Sequence, residues 1–157
     1  MNSITFKTLG LSAFLLLATA EVSSHGQAKG IVLDRHNLMT DIKDAGKVVK
    51  NMVRGKSTLD RTALKASADL IVTKADAMLP MFPDTKASRR GKGSNAKQEI
   101  WSQFDRFSEW NDKMAKHAAE LSAMADSASL EELKAQHQLI GKTCSGCHKA
   151  FRAKKKH

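Results

Sequence analysis

The chain contains no tyrosine, and six Phe and two Trp are its only aromatic residues in 157 positions. Strands draw on aromatic and β-branched residues set in alternation. No stretch beyond residue 20 alternates apolar and polar side chains for long, so a sheet is poorly supported. Proline is as scarce: Pro80 and Pro83 are the only two, so helix breaking is concentrated at one place. Two cysteines allow at most one disulfide, which rules out a disulfide scaffold. No apolar run reaches the ~20 residues needed to span a bilayer. The longest, Leu9 to Leu17, follows Lys7 and precedes Ala18-Thr19-Ala20, the charge, apolar and small-x-small order of a secretory signal peptide. Residues 1–20 are therefore expected to be removed on export to the periplasm, leaving 21–157 as one domain.

Acidic residues are also few. Sixteen Asp and Glu face 26 Lys and Arg, a formal charge of +10 that loses one unit with Lys7. Export argues against nucleic acid as the partner, and Trp101, Phe104, Phe107 and Trp110 fall at core spacing instead of interleaving with cations. The charge suits steering toward an acidic redox partner or an anionic membrane surface, or else simply a solvated exterior.

The two cysteines lie in Cys144-Ser145-Gly146-Cys147-His148. Thiols three positions apart share one side of a helical turn and can each add to a haem vinyl group, while the next imidazole reaches the iron. This is the c-type haem attachment pattern. A redox disulfide would belong at the start of a helix that follows a strand, and no strand signal precedes this pair. A structural zinc site would need four ligands, and His36, His117, His137 and His157 lack ligand spacing.

Helical spacing is present throughout. A first helix is predicted over about 29–54, with Val32, Leu38, Met39, Ile42, Ala45, Val49 and Val53 inward and Gly55 as its stop. A second starts at a Thr58 or Asp60 cap, carries Leu64, Ala68, Ile71, Ala75, Met78 and Leu79, and ends at the prolines. Residues 80–95 read as the longest loop. A third helix is predicted over about 96–126, with Ile100, Trp101, Phe104, Phe107, Met114, Ala118, Leu121 and Ala125 buried. The fourth opens at Ser129, with Glu131 and Glu132 in its first turn, and its stripe of Leu130, Leu133, His137, Ile140, Cys144, Cys147 and Phe151 includes both thiols. The expected fold is all-α, an antiparallel four-helix bundle with the haem facing its core from the C-terminal helix.

This arrangement resembles the class II c-type cytochromes, the cytochrome c′ family with its low-spin, Met-ligated members. The residues that carry the resemblance are Arg35-His36-Asn37-Leu38-Met39, Leu79-Pro80-Met81-Phe82-Pro83 with Thr85, Glu99-Ile100-Trp101, and the block from Cys144 to Arg152. Asp84-Thr85-Lys86 departs from the family by lacking the Gly often found before that Thr. The resemblance implies one covalent haem c on Cys144 and Cys147 with His148 as the proximal ligand. It also implies a propionate contact for Arg35, a place beside the proximal face for Arg152, and a place over the distal face for Met39. As a thioether Met39 is either the sixth iron ligand or a core side chain packed over an open site. The first case makes a periplasmic one-electron carrier, and the second a five-coordinate protein that binds NO or CO. A weaker third reading makes the haem a fold-stabilising staple. No nucleophile, base and orienting group form a recognisable set, so no enzyme activity is expected. Family members commonly pair through their first two helices. Here Lys43, Lys47, Lys50, Arg54, Lys56 and Arg61 make that region basic, so monomer and homodimer stay open.

Overall fold

The computed structural model describes residues 28–154. The signal-peptide reading of 1–20 and the end of the basic tail lie outside them. Among the described residues there are six α-helices, and the only sheet-like pairing is an isolated antiparallel bridge between Ala96 and Arg152. The bundle is made by α1 (Ile31–Val53), α2 (Arg61–Asp76), α5 (Phe104–Ala123) and α6 (Leu130–Phe151). Two short helices, α3 (Lys86–Arg90) and α4 (Glu99–Ser102), lie in the connection between α2 and α5. Each long helix packs chiefly on its neighbours in sequence, so the bundle runs up-down-up-down, and the seam between α1 and α6 is the most sparsely packed.

Local chemistry sets the helix ends. Gly55, at φ 68°, ends α1 with bonds from Gly55 N to Met52 O and Lys56 N to Asn51 O, a Schellman stop in a conformation that costs other residues about 1–2 kcal/mol. Asp60, not Thr58, caps α2 by accepting from Ala63 N at 2.9 Å. Ser129 and Glu132 form a reciprocal capping box at the start of α6. The core follows the predicted stripes, with Val49, Leu64, Ala68, Ala75, Ala118, Leu121 and Leu133 fully buried.

Three expectations change. The second helix ends at Asp76, and Met78 to Met81 turn instead through a 3-10 element that holds Pro80. The predicted long loop contains α3, capped by Thr85 Oγ1 accepting from Ser88 N. The third helix is interrupted at Gln103 (φ −132°, ψ 45°), because Trp101 Nε1 is held by Phe82 O and Pro83 O at 3.1 Å each, which orients α4 independently of α5. The break turns Phe104 outward, 38% exposed instead of buried, and Leu130 in the first turn of α6 is likewise exposed.

Candidate functional site

Cys144, Cys147 and His148 lie in the last two turns of α6. Both thiols are free and half-buried, and both pack against the core. Burial raises the pKa of both, with Cys147 pushed up to about 11 by burial and by its neighbour Cys144. They are thus held as thiols and do not form the reactive thiolate of a redox pair. His148 is exposed, and its pKa is lowered by desolvation and then by the charge of Arg152. Its imidazole is therefore neutral at neutral pH, the form that ligates a metal.

The turn that carries the motif is held tightly. Lys97 Nζ donates to Lys149 O and Ala150 O at 3.1 Å each, capping carbonyls that the helix leaves open. Lys97 N donates to Phe151 O at 2.9 Å and Ala153 N to Asn95 O at 2.8 Å, so residues 95–97 run beside the end of α6. On its α5 side Gly146 lies against the indole of Trp110, and a Cβ at that position would stand 2.3 Å from Trp110 Cη2.

Opposite stands α1. His137 Nε2 donates to Gly46 O at 3.2 Å, which fixes the register of the two antiparallel helices. Met39 is seven residues before Gly46 and Cys144 seven after His137. Two turns, about 10 Å, separate each pair along its axis and return to the same face. Met39, half-buried against the core, therefore lies level with Cys144 across the seam. His137 itself is bonded to α1. No atom beyond its own turn of helix comes within 4 Å of where a Cβ would stand on Gly46, whose carbonyl faces His137, so the two helices leave room there.

Arg35, one turn before Met39, is buried at 5% exposure. Nε and Nη2 donate to Met81 O at 3.2 and 3.0 Å, Nη2 also reaches Ser88 Oγ at 2.8 Å, and the guanidinium lies 4.1 Å from the Phe82 ring centre. None of these partners is an anion. Burial pushes its pKa down to about 10, so it remains charged at neutral pH. Nη1 has no hydrogen-bond partner, which leaves a buried cation without a counter-charge. Such a group is costly unless an anion joins it. A haem propionate is an anion of that kind, so the buried guanidinium, the free thiols, the neutral imidazole and the open seam fit the group. Cys144 and Cys147 would hold it, His148 would ligate its iron and Arg35 would meet a carboxylate. Bound there, it supplies an iron that passes between Fe(III) and Fe(II) or takes a small ligand.

Two predicted residues are placed differently from the rest. Arg152 lies past the end of α6 and is exposed, its backbone N bonded to His148 O at 3.0 Å, so it neighbours the proximal imidazole without burying it. His36 is half-buried on α1 beside Arg35. Asn111, at 6% exposure and with Oδ1 unpaired, was not anticipated. Its signal in the sequence is a polar residue on the Phe107–Met114 stripe. Among the described residues no group of three or more His, Cys, Asp and Glu gathers to hold a metal ion.

Comparison with known proteins agrees with this geometry. Residues 30–152 match the cytochrome c′ family. Cytochrome c-556 of Agrobacterium tumefaciens is 31% identical over 128 residues, covering 80% of this chain and 99% of that one. Cytochrome c′ of Alcaligenes xylosoxydans is 30% identical over 104 residues, 66% of this chain and 78% of that one. A ferrous variant of the Alcaligenes protein solved with NO bound superposes with a TM-score of 0.69 at 26% identity, over 80% of this chain and 94% of that one, and another variant was solved with CO. With a four-helix bundle, a haem-attachment motif on its last helix and this match across most of its length, the chain belongs to the cytochrome c′ family of class II c-type cytochromes.

Proposed function

We propose that this protein is an exported one-electron carrier whose single covalent haem c is ligated by His148 and, on the opposite face, by Met39. The observation that carries the reading is the register of α1 and α6, with Met39 level with Cys144 across the open seam. A thioether there gives a low-spin iron whose ligands change little between oxidation states, which keeps reorganisation small during electron transfer. The proposed role is carriage without catalysis, which needs only the haem and its ligands. The apolar run before Ala18-Thr19-Ala20 supports a periplasmic location.

The test is the absorption and EPR spectrum of the purified ferric protein. A low-spin signal with a sulfur-to-iron charge-transfer band is expected. Met39→Ala should convert it to high spin while the haem stays covalently attached. A high-spin wild-type spectrum at neutral pH would overturn Met39 ligation. It would favour a second reading, supported by the likeness to an Alcaligenes protein solved with NO and CO: a five-coordinate haem that captures such ligands.

A further inference from the structure

Electrons enter or leave a haem protein where the cofactor comes near the surface, and with a haem held on Cys144 and Cys147 the exposed side chain of His148 would be such a place. The charges around it are one-sided. Glu131 and Glu132, in the first turn of α6, are the last acidic residues of the chain. Among the described residues Lys134 follows, paired with Glu131 at 3.6 Å, and then Lys142, Lys149, Arg152 and Lys154; these last four are exposed, and none belongs to an ion pair among the described residues. Lys149 and Arg152 lie within one helical turn of His148, and Lys142 about 9 Å before it along the axis. Lys74 and Lys65 are paired, with Asp41 at 2.7 Å and Asp69 at 2.9 Å, whereas Lys47, Lys50 and Lys56 are also exposed and in no ion pair among the described residues, so what sets the collar apart is its place beside His148. The cleft of about 590 Å³ next to this turn brings in one carboxylate, Glu99, against Arg106 and Lys149. The collar therefore sets a positive field around the exposed edge of His148.

We infer that the His148 edge with its collar of Lys142, Lys149, Arg152 and Lys154 is the docking surface for the acidic face of a one-electron partner protein. This deepens the electron-carrier reading and rests on it. Complementary charge of this kind accelerates encounter and orients it, by 10- to 1,000-fold at low salt. A partner with a carboxylate-lined face would meet the collar with its own redox centre turned toward His148. Lys97, bonded to the helix end, keeps the collar's backbone fixed.

The experiment uses the haem-loaded, reduced protein and two small oxidants of opposite charge. Each ferrous haem gives one electron to hexacyanoferrate(III), yielding ferric haem and hexacyanoferrate(II), with no bond or proton transferred. Tris(phenanthroline)cobalt(III) accepts one electron in the same way but is a cation. The triple variant Lys142→Gln, Lys149→Gln, Lys154→Gln is compared with Lys47→Gln, Lys50→Gln, Lys56→Gln, which removes the same charge from the opposite end of α1. At about 10 mM ionic strength the first variant should react with the anion about five- to tenfold more slowly than wild type and with the cation faster. The second should change each rate less than twofold, and all differences should fade near 0.5 M salt. Equal effects of the two variants would overturn the docking surface, since net charge alone would then explain them. It would also be overturned if the rates were unchanged while the first variant alone lost binding to phosphatidylglycerol vesicles, because the collar would then face a membrane. The spin state of the same samples separates this from the reading beneath it. A high-spin iron with the predicted rate pattern removes the carrier assignment and leaves the surface standing; a low-spin iron with equal rates does the reverse.

Discussion

Gly146, between the two cysteines, gives a prediction whose sign depends on a single neighbour. Replacing a glycine by alanine inside a helix ordinarily stabilises it by about 0.5–1 kcal/mol, since glycine gives up more chain entropy. At Gly146 the new Cβ would lie 2.3, 2.6 and 3.1 Å from Trp110 Cη2, Cζ3 and Cζ2, all inside contact distance. The indole must therefore shift by more than 1 Å. Overpacking of this kind costs about 1–3 kcal/mol, so Gly146→Ala should lose about 1 kcal/mol net. Once Trp110 is cut back to Ala the clash is gone and only the propensity term remains, so adding Gly146→Ala should then gain about 1 kcal/mol. The expected coupling in this double-mutant cycle is about 2 kcal/mol. Urea unfolding of the haem-loaded protein reads it directly: with a slope of about 2 kcal/mol/M, the midpoint should fall by about 0.5 M in one background and rise by about 0.5 M in the other. If Gly146→Ala stabilises equally in both, the contact does not constrain the tether and the reasoning fails.

Arg35→Ala should cost about 3 kcal/mol, because it strands Met81 O and Ser88 Oγ in the interior, and Arg35→Lys should recover less than half; urea midpoints and amide exchange at 82–89 would show both. The Glu132 carboxyl is held below its usual range by the Ser129 hydroxyl and then the Ser129 backbone N–H. Its stabilising contribution is thus present above the unfolded pKa and lost as pH falls through the lower folded value. Ser129→Ala should cost about 1 kcal/mol at neutral pH and shrink the loss of stability on acidification below pH 4, followed by circular dichroism. His137 is held below 6.5, first by burial, opposed by its bond to Gly46 and reinforced by Arg54 and Lys50. Stability should accordingly decline as pH drops below about 6.5 and through the folded His137 pKa, and His137→Gln should flatten that decline; an NMR midpoint at or above 6.5 would contradict it.

What the sequence made legible was mostly periodic or local. The stripes of α1, α2 and α6 appear in the three- and four-residue spacing, and the capping box is written in Ser129 and Glu132. The haem-attachment motif needs only five consecutive residues. What could not be read depends on contacts between distant segments. The break at Gln103 exists because Trp101 bonds to carbonyls 18 and 19 residues earlier. Likewise α3 is too short to show a period; Thr85 caps it, and it is fixed from outside by Arg35, 53 residues before Ser88. The burial of Arg35 itself was unreadable, since a charged residue on an amphipathic helix gives no sign of which carbonyls lie opposite it.

The bond between His137 and Gly46 has a mechanical meaning. It is a fixed point between α1 and α6, and Met39 lies about 10 Å from it along α1. A tilt of 5° there displaces the Met39 backbone by roughly 1 Å, from the 1.5 Å rise per residue. An iron–sulfur bond is made or lost over a distance of that order. In the proposed Met39-ligated protein the spin state would thus be open to tuning by substitutions at this bond, two helical turns from Met39.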